Sequence, residues 1–337
     1  MKKASLSALF LVILGFLFGA ESPDPIKLNS PFACTSFAVY SRETIYGMNF
    51  DYSDVPVRFT IQDYGDLKVF QMEFKTENGY VPTVGMNSAG LFASSQMLFP
   101  ELPDSSPGDG KRISIWQLYH SGLYHKTAVA EVHELLSEYR VVNSGLTLHN
   151  LFADPEGNAV VVEADEKGAV LTPIEGPFIV MTNFPNGSLQ GKLYTEANGA
   201  GADRYLIAYE NIENNLEEFN IELGLETLEK ALLVGDYSTK ASMVFDPENL
   251  EIFIALNRQY DQIWKISLTG GTIETYRGFL AFEETALDPT GITESKMVTM
   301  GSNQARSRNL ILDMSLVLGI GTTLLLIYRL RRKQPAR

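Results

Sequence analysis

Between residues 34 and 277 the chain changes character in runs rather than element by element. Residues 34–40, 44–50, 58–64, 67–74 and 83–96 read as successive strand segments, with turn signals at 41–43 and 87–90. Two helical segments follow at 113–125 and 127–139, where apolar residues recur at helical spacing and Ser114 and Thr127 stand as caps. Strand character resumes over 146–181, helices are expected at 202–211 and 225–233, and strands return over 241–277. A chain that groups its strands and its helices in this way folds into segregated layers, an α+β sandwich, and not into an alternating parallel sheet. No internal repeat or low-complexity segment interrupts the pattern, and about 270 residues suit one large domain.

The charge distribution narrows the partners. The 337 residues carry a net charge of −14. Residues 1–33 hold +1 and residues 306–337 hold +6, so the body from 34 to 305 carries −21. Such a body does not suit nucleic acid, whose phosphates need a basic surface.

The two ends differ from the body. A charged start (Lys2, Lys3) followed by an apolar run to Ala20 reads as a signal peptide over 1–20, with 21–33 as a propeptide. At the other end 309–330 is apolar enough and just long enough for a transmembrane helix. The basic tail 331–337 behind it is expected to be cytoplasmic, which places the 34–305 domain outside, tethered to the cell membrane.

Few residues offer chemistry. There is no Walker A loop, no GxGxxG, no HExxH and no GxSxG. Gly199-Ala200-Gly201-Ala202 precedes a helix without a strand feeding it, which suits a flexible helix start better than a phosphate cradle. The histidines, His120, His125, His133 and His149, lack metal-ligand spacing and read as structural or surface residues; no metal or other cofactor is expected.

The single cysteine, Cys34, is different. It opens a strand directly behind the leader. Cleavage between Ala33 and Cys34 would give one residue a thiol and a free α-amine. With a pKa near ~7.7–8 that amine can act as a base at neutral pH, so no histidine is required.

Around that residue the sequence resembles the choloylglycine hydrolase and penicillin acylase/acyltransferase group of N-terminal nucleophile (Ntn) hydrolases. The resemblance is carried by Cys34-Thr35-Ser36, Gly47-Met48-Asn49-Phe50-Asp51-Tyr52 and Gly85-Met86-Asn87-Ser88-Ala89-Gly90-Leu91. Asn150-Leu151-Phe152-Ala153-Asp154 with Gly157 and Glu163, Met181-Thr182-Asn183-Phe184, Asp203-Arg204-Tyr205 and Ser242-Met243-Val244-Phe245-Asp246-Pro247 follow in the same order. The resemblance implies a four-layer αββα fold and hydrolysis of linear, non-peptide amide C–N bonds. It implies Cys34 as nucleophile, Asp51 orienting its amine, Asn183 as side-chain oxyanion donor and the Asn87 backbone N–H as the second donor. Met48 and Tyr52, in the same motif as Asp51, are candidate substrate-binding residues for a small-molecule acyl amide.

Two departures set this chain apart from the bile-salt branch. Met48 stands where that branch has an arginine. Its later arginine is expected near 238–242, where Lys240 is the only cation. Both losses argue against bile-salt hydrolysis without touching the Cys/Asp/Asn set.

Other readings stay open on sequence. The same site runs as an acyltransferase if an amine outcompetes water, and an uncleaved chain would be a catalytically dead binding module. A lipoprotein anchor at Cys34 fits poorly with the 20–34 spacing. Asp154 and Glu163 read as structural acids on solvent faces.

Overall fold

The computed structural model describes residues 33–101, 110–143, 145–165 and 168–300. The first six strands are β1 (Ala33–Tyr40), β2 (Thr44–Asp51), β3 (Val57–Tyr64), β4 (Leu67–Thr76), β5 (Gly79–Asn87) and β6 (Phe92–Met97). A short β7 (Arg112–Ser114) leads into α1 (Ile115–His125) and α2 (Val129–Glu138), and β8 (Arg140–Val142) pairs with β7 in parallel. Next come β9 (Leu148–Ala153), β10 (Ala159–Ala164), β11 (Ala169–Pro173) and β12 (Phe178–Met181), then α3 (Ala202–Asn215) and α4 (Ile221–Lys230). The chain continues through β13 (Thr239–Asp246), β14 (Glu251–Leu256), β15 (Gln259–Ser267) and β16 (Thr272–Arg277). Its last described elements are β17 (Glu284–Ala286), β18 (Ile292–Thr293) and α5 (Glu294–Met300).

The strands form two eight-stranded antiparallel sheets. The first runs β12-β1-β2-β13-β14-β15-β16-β17 and the second β11-β10-β9-β6-β5-β4-β3-β18. Helices α3 and α4 pack on β1, β2, β12 and β13 of the first sheet, and α1 packs on β4, β5, β6 and β9 of the second. One core lies between the sheets and includes Tyr46, Met48, Phe50, Phe70, Phe92 and Phe245. A second core lies under α3 and α4 and includes Phe37, Val39, Ile45, Phe184, Leu228 and Val244.

This two-sided covering explains why alternation is weak in the sequence. Along β1, Cys34 and Ala38 join the inter-sheet core while Phe37 and Val39 join the helix-covered core. Both faces are apolar, so the strand reads as a nearly continuous buried run. Gly47 on β2 is required by the same crowding. A Cβ there would lie 2.2 Å from Phe37 Cζ, because the Phe37 ring crosses the strand at that point.

Of the two helix caps expected from the sequence, one forms. Ser114 closes a capping box with Gln117 at the start of α1. Thr127 does not cap α2: the cap position is Ala128, and the Glu131 carboxylate accepts from the Thr127 N–H at 2.5 Å instead.

The expected fold, an α+β sandwich with a signal peptide and a transmembrane helix, requires correction. The described chain is mostly antiparallel sheet with few helices. No helix among the described residues is long and apolar enough to cross a membrane. The segments 1–20, 21–32 and 309–337 on which the leader, anchor and tail expectations rest lie outside the described residues.

Candidate active site

Cys34 sits one residue into β1, next to the strand's register partners on β2, and its side chain faces the inter-sheet core. It pairs with Phe50, and Ala33 before it pairs with Asp51, so the two strands bring the nucleophile candidate and the carboxylate together. The loop leaving β12 supplies Asn183. The Cys34 N–H donates to Asn183 Oδ1 at 3.0 Å, and Asn183 Nδ2 donates to Met97 O at 2.8 Å.

A residue without an assigned role completes the cluster. Arg204, in the first turn of α3, donates through Nη1 to Cys34 O at 2.6 Å and to Thr35 Oγ1 at 3.0 Å. Its Nη2 donates to Asn183 Oδ1 at 2.7 Å, and Nη1 lies 3.4 Å from Asp51 Oδ2. Thr239 Oγ1 donates to the other carboxylate oxygen of Asp51 at 2.6 Å. One guanidinium therefore ties together the backbone of Cys34, the amide of Asn183 and the carboxylate of Asp51, all of them buried. Sequence alone assigns Arg204 no role and marks only the two missing arginines of the bile-salt branch. Asp203-Arg204-Tyr205 already stood among the matched motifs, and its place just after a glycine-rich helix start was the signal. Lys240, the only cation at 238–242, pairs with Asp54 on the surface at 2.7 Å.

The electrostatics follow from burial. Burial raises the Asp51 carboxyl to about 7, with Arg204 and the Thr239 hydrogen bond pulling against that rise. Burial also pushes the Cys34 thiol well up from its ordinary value, and the Asp51 charge adds to the rise. A backbone hydrogen bond at Asp51 and the Arg204 cation oppose it. With Ala33 still attached, Cys34 is therefore a neutral, enclosed thiol.

The geometry revises two of the expected roles. Asn183 presents its oxygen to the Cys34 nitrogen, so in this arrangement it holds the nucleophile's nitrogen. Asn87 is not brought to the site. It pairs with Val69 on β4, whereas the ring of Phe50, Cys34's partner, packs on Phe74 five residues along the same strand. That separation is roughly 17 Å of strand. The Asn87 N–H donates to Leu91 O, and its Nδ2 donates to Leu123 O and Lys126 O at the end of α1. Asn87 is a turn and helix-end residue because its polar groups are consumed locally.

Met48 and Tyr52 are both buried beside the cluster. Met48 pairs with Ser36 on β1 and Met243 on β13. Tyr52 forms a three-ring group with Phe50 and Phe74, with centroids 5.4–5.8 Å apart. A cavity of about 330 Å³ opens elsewhere, at the outer edge of β12, where Phe178, Tyr194 and Tyr209 line it. Among the described residues no group of three His, Cys, Asp or Glu is placed to hold a metal ion. Glu163, expected on a solvent face, is buried and faces His149 instead.

Comparison with known proteins gives a fold-level result. No protein-family model matches the sequence, and no curated protein matches it. Solved structures do match. A variant of conjugated bile acid hydrolase from Clostridium perfringens superposes with a TM-score of 0.57 at 14% identity, covering 76% of this chain and 98% of that one. Penicillin V acylase from Agrobacterium tumefaciens gives 0.57 at 16% identity, covering 77% of this chain and all of that one (100%). The two stacked antiparallel sheets, with Cys34 near the start of a strand one in from the edge of the first, thus have the fold of conjugated bile acid hydrolase and penicillin V acylase.

Proposed function

We propose that this protein hydrolyses a linear, non-peptide amide C–N bond through Cys34 as an N-terminal nucleophile. The observation that carries the reading is the buried Cys34–Asn183–Arg204–Asp51 cluster built around the nitrogen and carbonyl of one residue at a strand start. Side chains that merely stabilise a strand have no reason to converge on the nitrogen of its only cysteine. Two amide-cleaving enzymes share the fold, which supports the same reaction class here.

In this reading removal of residues 1–33 converts the Cys34 amide into an amine. The amine takes the thiol proton, and the thiolate attacks the substrate carbonyl carbon. The C–S bond forms, the tetrahedral oxyanion collapses, and the C–N bond breaks as the leaving amine receives the proton. Water then adds to the thioester, releasing the carboxylic acid and restoring the thiol. Asn183 Oδ1 fixes the direction of the nitrogen, and Asp51, held by Arg204 and Thr239, supplies the negative charge that favours a protonated amine between steps.

The test is mass spectrometry of the mature protein together with turnover of a panel of aryl-acetyl, bile-acid and long-chain acyl amides. The expected result is Cys34 at the N-terminus and loss of turnover in Cys34→Ser. An active protein that retains residues ahead of Cys34 overturns the mechanism, and product exchange with an added amine would identify a transferase.

A further inference from the structure

The inter-sheet core contains one polar row that the proposed chemistry does not use. Gln96 on β6, His149 on β9 and Glu163 on β10 are register partners across three adjacent strands of the second sheet. All three are buried. A row of apolar side chains would fill the same space without the desolvation of a carboxylate, an imidazole and an amide.

The row faces the segment that follows β12 of the first sheet. Glu163 accepts from the backbone N–H of Asn186 through Oε1 at 2.7 Å and from that of Gly187 through Oε2 at 3.1 Å. His149 Nδ1 lies 3.3 Å from Glu163 Oε1; with a carboxylate as partner this nitrogen carries the proton. Gln96, with its amide oxygen turned to the Ser36 donors, donates to Thr182 O at 3.2 Å. Asn183 lies between these anchors, and its own carbonyl accepts from Phe99 N at 2.7 Å. The loop that carries Asn183 is therefore held one residue before it by Gln96 and three and four residues after it by Glu163.

We propose that Glu163, supported by His149 and Gln96, is a positioning residue that sets the Asn183 amide against the nitrogen of Cys34. The proposal rests on the reading of Cys34 and Asn183 as the reacting site. Buried backbone N–H groups require an acceptor, and a carboxylate spanning two successive N–H groups fixes the orientation of both peptide planes. Without it the loop relaxes, and a displacement on the order of 1 Å at a group that orients a nucleophile lowers turnover by about 10²-fold.

The experiment is a pair of variants, each in two backgrounds. Glu163→Gln replaces one accepting oxygen by a donor. Gly187→Ala places a Cβ 2.8 Å from Val170 Cγ1 and 3.1 Å from Glu163 Oε2, displacing the same clamp from the loop side and serving if Glu163→Gln does not fold. Each is measured for kcat and KM on phenylacetyl 4-nitroanilide, or on the amide of the panel turned over fastest, alone and combined with Asn183→Ala. Hydrogen exchange of the 182–187 segment reports the loop directly.

The expected result is a fall in kcat of about 10²-fold with KM nearly unchanged, faster exchange in 182–187, and less than about threefold further loss in the Asn183→Ala background. The full loss persisting in that background overturns the proposal, because the row would then act on something other than Asn183. Wild-type kcat in both variants, with Cys34→Ala inactive, overturns the clamp alone. Wild-type turnover in Cys34→Ala overturns the site reading and the clamp with it.

Discussion

Replacing Arg204 by methionine separates two contributions of that side chain, because one depends on pH and the other does not. The pH-independent part is the loss of its charged hydrogen bonds to Cys34 O and Asn183 Oδ1. At about 1.5–3 kcal/mol each these sum to roughly 3–6 kcal/mol. The pH-dependent part comes from Asp51. Its folded pKa, about 7, lies above the unfolded carboxylate value, so its stabilising contribution is complete in acid and is lost as pH rises towards 7. Above that point the wild-type carboxylate ionises against Arg204, and the stability curve levels off. In Arg204→Met no cation faces Asp51, the group keeps its proton, and stability goes on falling. One pH unit beyond the wild-type pKa is worth roughly 1.4 kcal/mol. The variant should therefore be about 1.4 kcal/mol more costly at pH 8 than at pH 5. Urea denaturation at the two pH values, in a Cys34→Ala background that keeps Ala33 attached, measures it. Adding Asp51→Asn should remove the difference between the two pH values. An equal cost at pH 5 and pH 8 without Asp51→Asn would refute the assignment of Arg204 as the counter-charge of a buried carboxylate.

Two further substitutions probe the frame around the site. Asn87→Ala should destabilise the fold by about 1–3 kcal/mol in thermal or urea denaturation, because one buried and one half-buried carbonyl at the end of α1 lose their donor, while turnover stays within about threefold of wild type; a collapse of kcat at unchanged stability would restore Asn87 to the active site. Gly47→Ala should cost about 1–3 kcal/mol or more through the collision with Phe37, and Phe37→Leu in the same chain should recover part of it.

Residues whose partners lie close in the chain are legible in the sequence. Ser114 caps α1 because its partner is three residues away, and the turn after Asn87 forms because Gly90 and Leu91 are at hand. Where the partner is distant, or a competitor stands close by, reading fails. Thr127 has a competitor, Glu131, on its own helix, and Lys240 near the expected arginine position turns out to the surface to meet Asp54. Glu163 looks like a solvent acid on an alternating strand, yet the second sheet is covered on its inner side and that carboxylate meets a loop 23 residues away. Asn87 shares a motif with residues near the nucleophile in the chain, but motif order does not say which end of a strand faces Cys34.

Periodicity, composition and local turn chemistry act over a few residues, and they locate most strands and helices but not the two eight-stranded antiparallel sheets into which the strands pair. They also suffice for the singular cysteine at a strand start and for the motifs that bring Asp51 and Asn183 into consideration. Three outcomes needed the folded chain: Arg204 joins those residues, Asn87 does not, and a buried polar row underlies the Asn183 loop. Each depends on strand register and docking between segments 14 to 170 residues apart. A one-residue slip in any of these pairings moves a side chain to the opposite face.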